Sequence, residues 1–235
     1  MKQKIFILLL TLVMGATTVA QDSKALYKKY MLQNKELLSG GKTFSMSLFY
    51  KLYDAHSDQK PTEQYTGAYI QHNSQTYFRI NTIEMVRFSD LFIYVNGEEH
   101  NVSMSTGQMP TNSPFEIDKY LQYFEKVEYE KQGDLEKFTM EVPALTQLPY
   151  SKVEMYFTKK GILKKQVMYL INQVSYVKNE EDITVQPKME VEFSNMTAKA
   201  NTSVLQKSRY VKQIGKAYIL IGKYKGYELI NIDQQ

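Results

Sequence analysis

Residues 65–104 read YTGAYIQHNSQTYFRINTIEMVRFSDLFIYVNGEEHNVSM. Short runs rich in Tyr, Phe, Ile and Val follow one another, broken by Asn73-Ser74, Ser89-Asp90 and Asn96-Gly97. Aromatic and β-branched residues favour strands, and Asn-Gly ahead of renewed alternation marks a hairpin. The stretch therefore predicts five strands, over 65–72, 76–81, 84–88, 91–95 and 99–104, in an antiparallel meander.

The pattern extends in both directions. Upstream, residues 42–53 alternate: Phe44, Met46, Leu48, Tyr50 and Leu52 fall on one side, Ser45 and Ser47 on the other, which predicts a strand. Phe49 and Tyr53 interrupt the polar side, so both faces have apolar groups to cover. Before this strand, residues 22–38 carry Leu26, Tyr27, Tyr30, Met31, Leu37 and Leu38 at helical spacing, and Ser39-Gly40-Gly41 ends the run. Downstream, Ser113-Pro114 supplies an N-cap and a first-turn proline for a second helix with Phe115, Ile117, Leu121 and Phe124 as its stripe. A second meander is expected over 127–131, 137–142, 152–158, 164–173 and 188–195. Residues 176–187 read as a loop or long turn. The tail predicts strands over 204–211, 217–221 and 227–230.

The N-terminus has a different character. Lys2 and Lys4 precede the apolar run Ile5–Met14, and Thr18-Val19-Ala20 offers small residues before Gln21. This is the layout of a cleavable secretory signal over 1–20. The apolar run is short for a bilayer span, which takes about 20 residues, and no second run follows, so no integral membrane segment is expected. The chain has no cysteine. That removes disulfides, thiol chemistry and a lipid-anchored cysteine after the signal. The expectation is a periplasmic protein, exported, soluble and not lipid-anchored. After removal of Lys2 and Lys4 the net charge falls from +4 to +2, which gives no nucleic-acid footprint.

Chemistry-bearing motifs are sparse. The three histidines, His56, His72 and His100, have no metal-ligand spacing, and no nucleophile elbow, phosphate loop or dinucleotide fingerprint occurs. Asp54, Asp58 and Glu63 share one loop with nothing to orient them as an acid–base pair. Glu180-Glu181-Asp182 lacks calcium-loop spacing and reads as solvated. The expectation is therefore a protein that is not an enzyme, with no metal and no cofactor. In place of catalytic groups the chain has 19 Tyr, 11 Phe and 12 Met, with no Trp.

The order of elements resembles the periplasmic outer-membrane lipoprotein carrier family, the LolA-like proteins. The resemblance covers roughly residues 22–211. It rests on Phe44–Tyr50 as an alternating first strand, and on Gly67-Ala68-Tyr69-Ile70 with Tyr77-Phe78-Arg79-Ile80 as a strand pair. Asp90–Asn96, Tyr156–Leu163 and Val191–Asn195 match later segments. It implies a mostly β (α+β) fold: a strongly curved antiparallel sheet forming an incomplete barrel, closed by the N-terminal and mid-chain helices. One such domain would span 21–235, with a divergent extension from about residue 212. It also implies a carrier or sensor holding a lipid or lipoprotein acyl chain in an apolar cavity. Phe44, Met46, Leu48, Tyr50, Tyr69, Phe78, Phe92, Tyr94, Met140, Met155, Phe157 and Phe193 are the residues expected to line it; filling an ordinary core is their other reading. The family's Lys-Arg-Pro step, whose Arg latches the lid, falls on His72-Asn73-Ser74 here, so that latch is not carried over. A second functional reading is a non-catalytic scaffold or envelope-stress-sensing module with an envelope protein partner.

Overall fold

The computed structural model describes residues 23–36, 43–107, 121–178, 181–215 and 217–232. The expected signal segment, residues 1–20, and residues 113–120 of the expected second helix lie outside them. The described chain is mostly β. It forms two compact units, one from Met1–Leu37, Lys51–Glu63 and Ser113–Val191, the other from Leu38–Tyr50, Gln64–Asn112 and Glu192–Gln235. Strands β1 (Thr43–Tyr53) and β13 (Lys188–Thr197) carry residues of both.

In the first unit, helix α1 covers residues 23–36. Ser23, Tyr27, Tyr30, Met31 and Asn34 are its buried positions, a spacing of about one helical turn per step. They meet a sheet ordered β10-β9-β8-β7. Its strands are β7 (Lys126–Gln132), β8 (Leu135–Glu141), β9 (Tyr150–Thr158) and β10 (Leu163–Leu170). β7 starts at Lys126, one residue ahead of the strand expected from Val127. Register sets the core. Val127 pairs with Met140, and Met140 with Val153; Tyr129 pairs with Phe138, and Phe138 with Met155. These are alternate residues on one face. Tyr27 and Tyr30 stand 5.4 Å from the Phe138 ring. The Tyr27 hydroxyl donates to Met155 Sδ at 3.1 Å, and Asn34 Oδ1 accepts from the Leu163 amide at 3.2 Å.

One correction belongs to this unit. Most of residues 176–187, expected as a loop or long turn, is strand: β11 (Val174–Lys178) and β12 (Glu181–Val185) pair antiparallel as a separate two-stranded sheet. The acidic run Glu181-Asp182 masks it in sequence, because the alternation around it is weak.

The second unit has the order β16-β6-β5-β4-β3-β2-β1. It comprises β2 (Glu63–His72), β3 (Gln75–Ile80), β4 (Ile83–Arg87), β5 (Leu91–Asn96), β6 (Asn101–Thr106) and β16 (Glu228–Asn231). Turns Asn73-Ser74 and Asn81-Thr82 join β2 to β3 and β3 to β4. Asn73 and Asn81 supply the left-handed φ of 53° and 51° that such two-residue turns need. The Asn96-Gly97 turn is longer than expected. Asn96 Oδ1 accepts from the amides of Glu98 and Glu99, so pairing resumes only at Asn101.

The tail departs from the expectation. Residues 204–211 were expected as a strand; Thr202–Leu205 and Lys207–Arg209 are 3-10 turns instead, started by Asn201, whose side chain accepts from the Ser203 amide. The run Thr202–Arg209 has no period-two alternation to sustain a strand. Then β14 (Val211–Ile214) and β15 (Ala217–Leu220) form a hairpin. Finally β16 pairs with β6 in parallel, so the unit is not wholly antiparallel.

This tail seals one face of the sheet. Tyr77, Val86, Phe88, Leu91, Ile93, Val95, Val102 and Met104 pack with Leu205, Tyr210, Val211 and Tyr224 in one buried cluster. Tyr210 and Tyr224 stack at 5.3 Å. The buried carboxylate of Glu84 closes the contact, accepting from Tyr77 Oη at 3.2 Å, Tyr224 Oη at 3.0 Å and Lys223 Nζ at 2.6 Å.

Candidate functional site

The sealed face uses one set of alternating residues and leaves the other. Tyr69 pairs with Phe78, Phe78 with Met85, Met85 with Tyr94 and Tyr94 with Ser103. This is a single row across β2 to β6 on the face opposite Tyr77, Val86 and Ile93. Beside it Arg87 pairs with Phe92, and Ile80 with Ile83. These side chains are half-buried. Large apolar groups left partly in water along a contiguous row are the informative feature.

Strand β1 continues that face. The Phe44 and Tyr69 rings are 6.5 Å apart. A Cβ at Gly67 would meet Tyr50 and Leu48 at 3.1 and 3.2 Å, so Gly67 lets β1 side chains lie over β2. Phe44 and Leu48 are buried, while Met46 and Tyr50 are half-buried. Burial pushes the Tyr50 phenol up to about 12. It raises Tyr69 too, against a partial opposing pull from the Arg87 cation. The Tyr69 hydroxyl donates to Gln71 Oε1 at 3.0 Å. The face thus carries few polar groups, with Arg87 as a cation beside the aromatic row.

The structure brings eight of the twelve sequence-predicted lining residues onto this face: Phe44, Met46, Leu48, Tyr50, Tyr69, Phe78, Phe92 and Tyr94. Met85, which the sequence reading passed over, sits in the middle of the row; its pairing between Phe78 and Tyr94 was available from strand alternation. Phe193 is half-buried on β13, two positions before Asn195, whose Nδ2 donates to Ser47 Oγ at 3.2 Å. Met140, Met155 and Phe157 belong to the first unit's core, where Met140 and Phe157 are wholly buried and the Tyr27 and Tyr30 rings lie over Phe157.

The first unit offers two clefts, and none of the twelve residues lines either. The larger, about 690 Å³, runs along β7 to β9 between Lys126, Glu128, Glu130, Lys137, Lys152 and Glu154. Lys137 bridges Glu130 at 2.9 Å and Glu154 at 3.5 Å, and Tyr156 donates to Glu154 at 2.8 Å. Burial works to raise Glu154, but Tyr156, Lys137 and Lys152 together hold it below the usual carboxylate range. The other cleft, about 640 Å³, includes His56, Ser57, Ser151 and Glu141. His56 Nε2 donates to the Leu170 carbonyl at 3.2 Å, and its ring stands edge-on to Tyr169. Ser151 Oγ donates to the Tyr169 carbonyl. Both groups are committed to backbone oxygens rather than to each other, which is not the nucleophile–base geometry of a hydrolase.

Other predicted features find structural partners. His72 shares a hydrogen bond with Thr43 Oγ1 at 2.7 Å and is half-buried. Asp54 accepts from Thr62 and Asp58 from the Ala55 amide, so these carboxylates hold their own loop. No group of three or more His, Asp or Glu converges among the described residues. Nor is any helix among them long and apolar enough to cross a membrane.

No protein-family model and no curated protein matches the chain. Solved structures are similar to it at low identity. A LolA superfamily protein from Nitrosomonas europaea is 11% identical with a TM-score of 0.33, over 77% of this chain and 97% of that one. The lipoprotein LppX of Mycobacterium tuberculosis is 10% identical with a TM-score of 0.38, over 75% and 98%. LprF from Mycobacterium bovis is 9% identical with a TM-score of 0.34, over 74% and 94%. At such identity no residue role passes from those proteins to this chain.

Proposed function

We propose that this is an exported, non-catalytic binding protein that holds the acyl chain of a lipid or lipoprotein against the open face of the second unit, as a carrier or a sensor. The observation that carries the reading is the asymmetry of that sheet. One face is sealed by the chain's own tail. The other presents the row Tyr69, Phe78, Met85 and Tyr94, flanked by Phe92 and Ile80, half in water.

An acyl chain suits such a strip. Each buried CH₂ contributes about 0.8 kcal/mol. Met85 and Met46 adapt to a flexible ligand, and the tyrosines present an apolar body with a polar tip. Arg87 provides a cation beside the aromatic row, suited to an anionic headgroup. The sequence layout of residues 1–20 supports export, and the lack of cysteine supports a form without a lipid anchor.

The test is extraction of the purified mature protein with organic solvent, followed by mass spectrometry. A stoichiometric acyl lipid is expected, with Phe78→Asp and Tyr94→Asp each losing most of it. Protein that is lipid-free and also fails to take up a fluorescent fatty acid would overturn the reading. A stable protein partner on the same face in place of lipid would favour the scaffold function.

A further inference from the structure

The β14–β15 hairpin has an outward face that packing does not explain. Val211 pairs with Leu220, and Gln213 with Tyr218. Val211, Leu220 and Tyr218 turn into the buried cluster of the second unit. The alternate residues Lys212, Ile214, Ala217 and Ile219 therefore face away from it, and all four are exposed. Ile214 is 55% exposed and Ile219 43%. A solvent-facing hairpin side normally carries polar residues; this one carries two isoleucines and an alanine, with one lysine.

Charge is concentrated in the same segment. Residues 198–235 hold seven Lys or Arg and two acidic residues, a net of +5. Residues 1–20 account for +2, so residues 21–197 sum to −3 within the chain total of +4. Lys207 and Lys223 are paired with Asp90 and Glu84. Lys199, Lys212 and Lys225 are exposed and make no ion pair with a carboxylate among the described residues.

We propose that this hairpin docks the protein on an anionic lipid bilayer surface, with Ile214 and Ile219 entering the headgroup layer and Lys212, beside Ile219, meeting lipid phosphate together with other lysines of the tail. A small apolar patch on a net-basic segment is the pattern of an interfacial anchor. The apolar tip is small for a stable protein–protein contact, which buries roughly 1,200–2,000 Å² with matched shape, whereas a bilayer makes no demand for matched shape. The hairpin packs on the sealed face of the sheet, opposite the row proposed to hold an acyl chain, so the two readings stand or fall separately.

The test uses the mature full chain and co-sedimentation with phosphatidylcholine vesicles, with and without phosphatidylglycerol. Binding is expected only to the anionic vesicles, and raising the salt to about 0.5 M should release it. Ile214→Ser with Ile219→Ser, and separately Lys212→Glu with Lys225→Glu, should each weaken binding roughly tenfold or more. Because all four positions are exposed, thermal unfolding should stay where it is. The lysine pair serves as the second probe should the isoleucine pair disturb the hairpin. Absence of binding to anionic vesicles, equal binding to neutral ones, or binding that neither variant changes overturns the proposal. So does self-association without lipid that the same variants abolish, since the surface would then be an interface between copies. Loss of bound acyl lipid in the Phe78→Asp protein should leave vesicle binding intact, which separates the two readings.

Discussion

The hydroxyl of Tyr224 lies 3.0 Å from both oxygens of the Glu84 carboxylate, across 140 positions of the chain. Glu84 is only 6% exposed, and Tyr77 donates to the same group. This carboxylate is the polar pin that fixes the tail over the β3–β6 face. Replacing Glu84 with Ala leaves two buried hydroxyls without their acceptor, and an unsatisfied buried donor costs about 1–3 kcal/mol. We expect Glu84→Ala to lose about 2–4 kcal/mol in urea unfolding. Glu84→Gln, which still accepts a hydrogen bond, should lose less. Equal stability of all three proteins would show that the tail is held by its apolar contacts alone.

Much of this unit is readable in sequence, for a physical reason. Period-two alternation from Phe44 to Met104 fixes both the strands and the two faces they present. It does not say which face is covered, because both are apolar: Tyr77, Val86 and Ile93 on one, Phe78, Met85 and Tyr94 on the other. The choice is made by Leu205, Tyr210 and Tyr224, more than 100 positions downstream of β5, in a segment whose 3-10 turns have no strand or helix period. Met140, Met155 and Phe157 were legible as inward-facing; that the α1 tyrosines would cover them was not.

Gly67 is the position where a single methyl group should act. A Cβ there would lie 2.7 Å from the Arg79 carbonyl oxygen and within 3.2 Å of the Leu48 side chain. The carbonyl is backbone within the β2–β3 pair, where Gly67 lies opposite Ile80, so it cannot swing aside as a side-chain end would. Gly67→Ala is expected to cost about 1–3 kcal/mol through overpacking and to increase amide exchange in β2 and β3. Unchanged stability and exchange would mean that β1 side chains do not lie as closely over β2 as described.

The tyrosines give a prediction at alkaline pH. Burial pushes the phenols of Tyr50, Tyr77 and Tyr169 up to about 12, with Glu84 adding to the effect on Tyr77 and Glu154 to that on Tyr169. A group whose folded pKa is raised stabilises the protein fully below its unfolded value, here 10.0, and the contribution is lost as pH rises toward the folded value. Phenolate absorbance should therefore lag behind that of the urea-unfolded chain between pH 10 and 12, and stability should fall across the same interval. Tyr77→Phe should flatten part of that fall. Superimposed titration curves for folded and unfolded protein would contradict the burial described.

Glu154 gives the acid-side counterpart. Its burial favours the neutral acid, but the Tyr156 hydroxyl and the Lys137 and Lys152 cations outweigh that and lower its pKa. A depressed carboxylate contributes stability above its unfolded pKa, and the contribution disappears as pH falls through the folded value. Wild-type stability should therefore decline below the usual glutamate range of about 4.3, and Glu154→Gln should decline less steeply there while being less stable at neutral pH. Parallel curves for the two proteins would remove Glu154 from the acid transition.

Arg87 tests the chemistry of the proposed ligand rather than the fold. It pairs with Phe92 across β4 and β5, beside the Phe78–Met85–Tyr94 row, and it is half-buried. A guanidinium in that position should favour an anionic headgroup through charge-assisted hydrogen bonds, each worth about 1.5–3 kcal/mol. Fluorescent fatty acid is therefore expected to bind Arg87→Gln about tenfold or more weakly than wild type. An uncharged acyl ester of the same length should bind the two proteins alike, because the apolar row is untouched. Equal loss for both probes would mean that Arg87 supports the face by packing its aliphatic stem. Equal retention of both would place the headgroup away from β4.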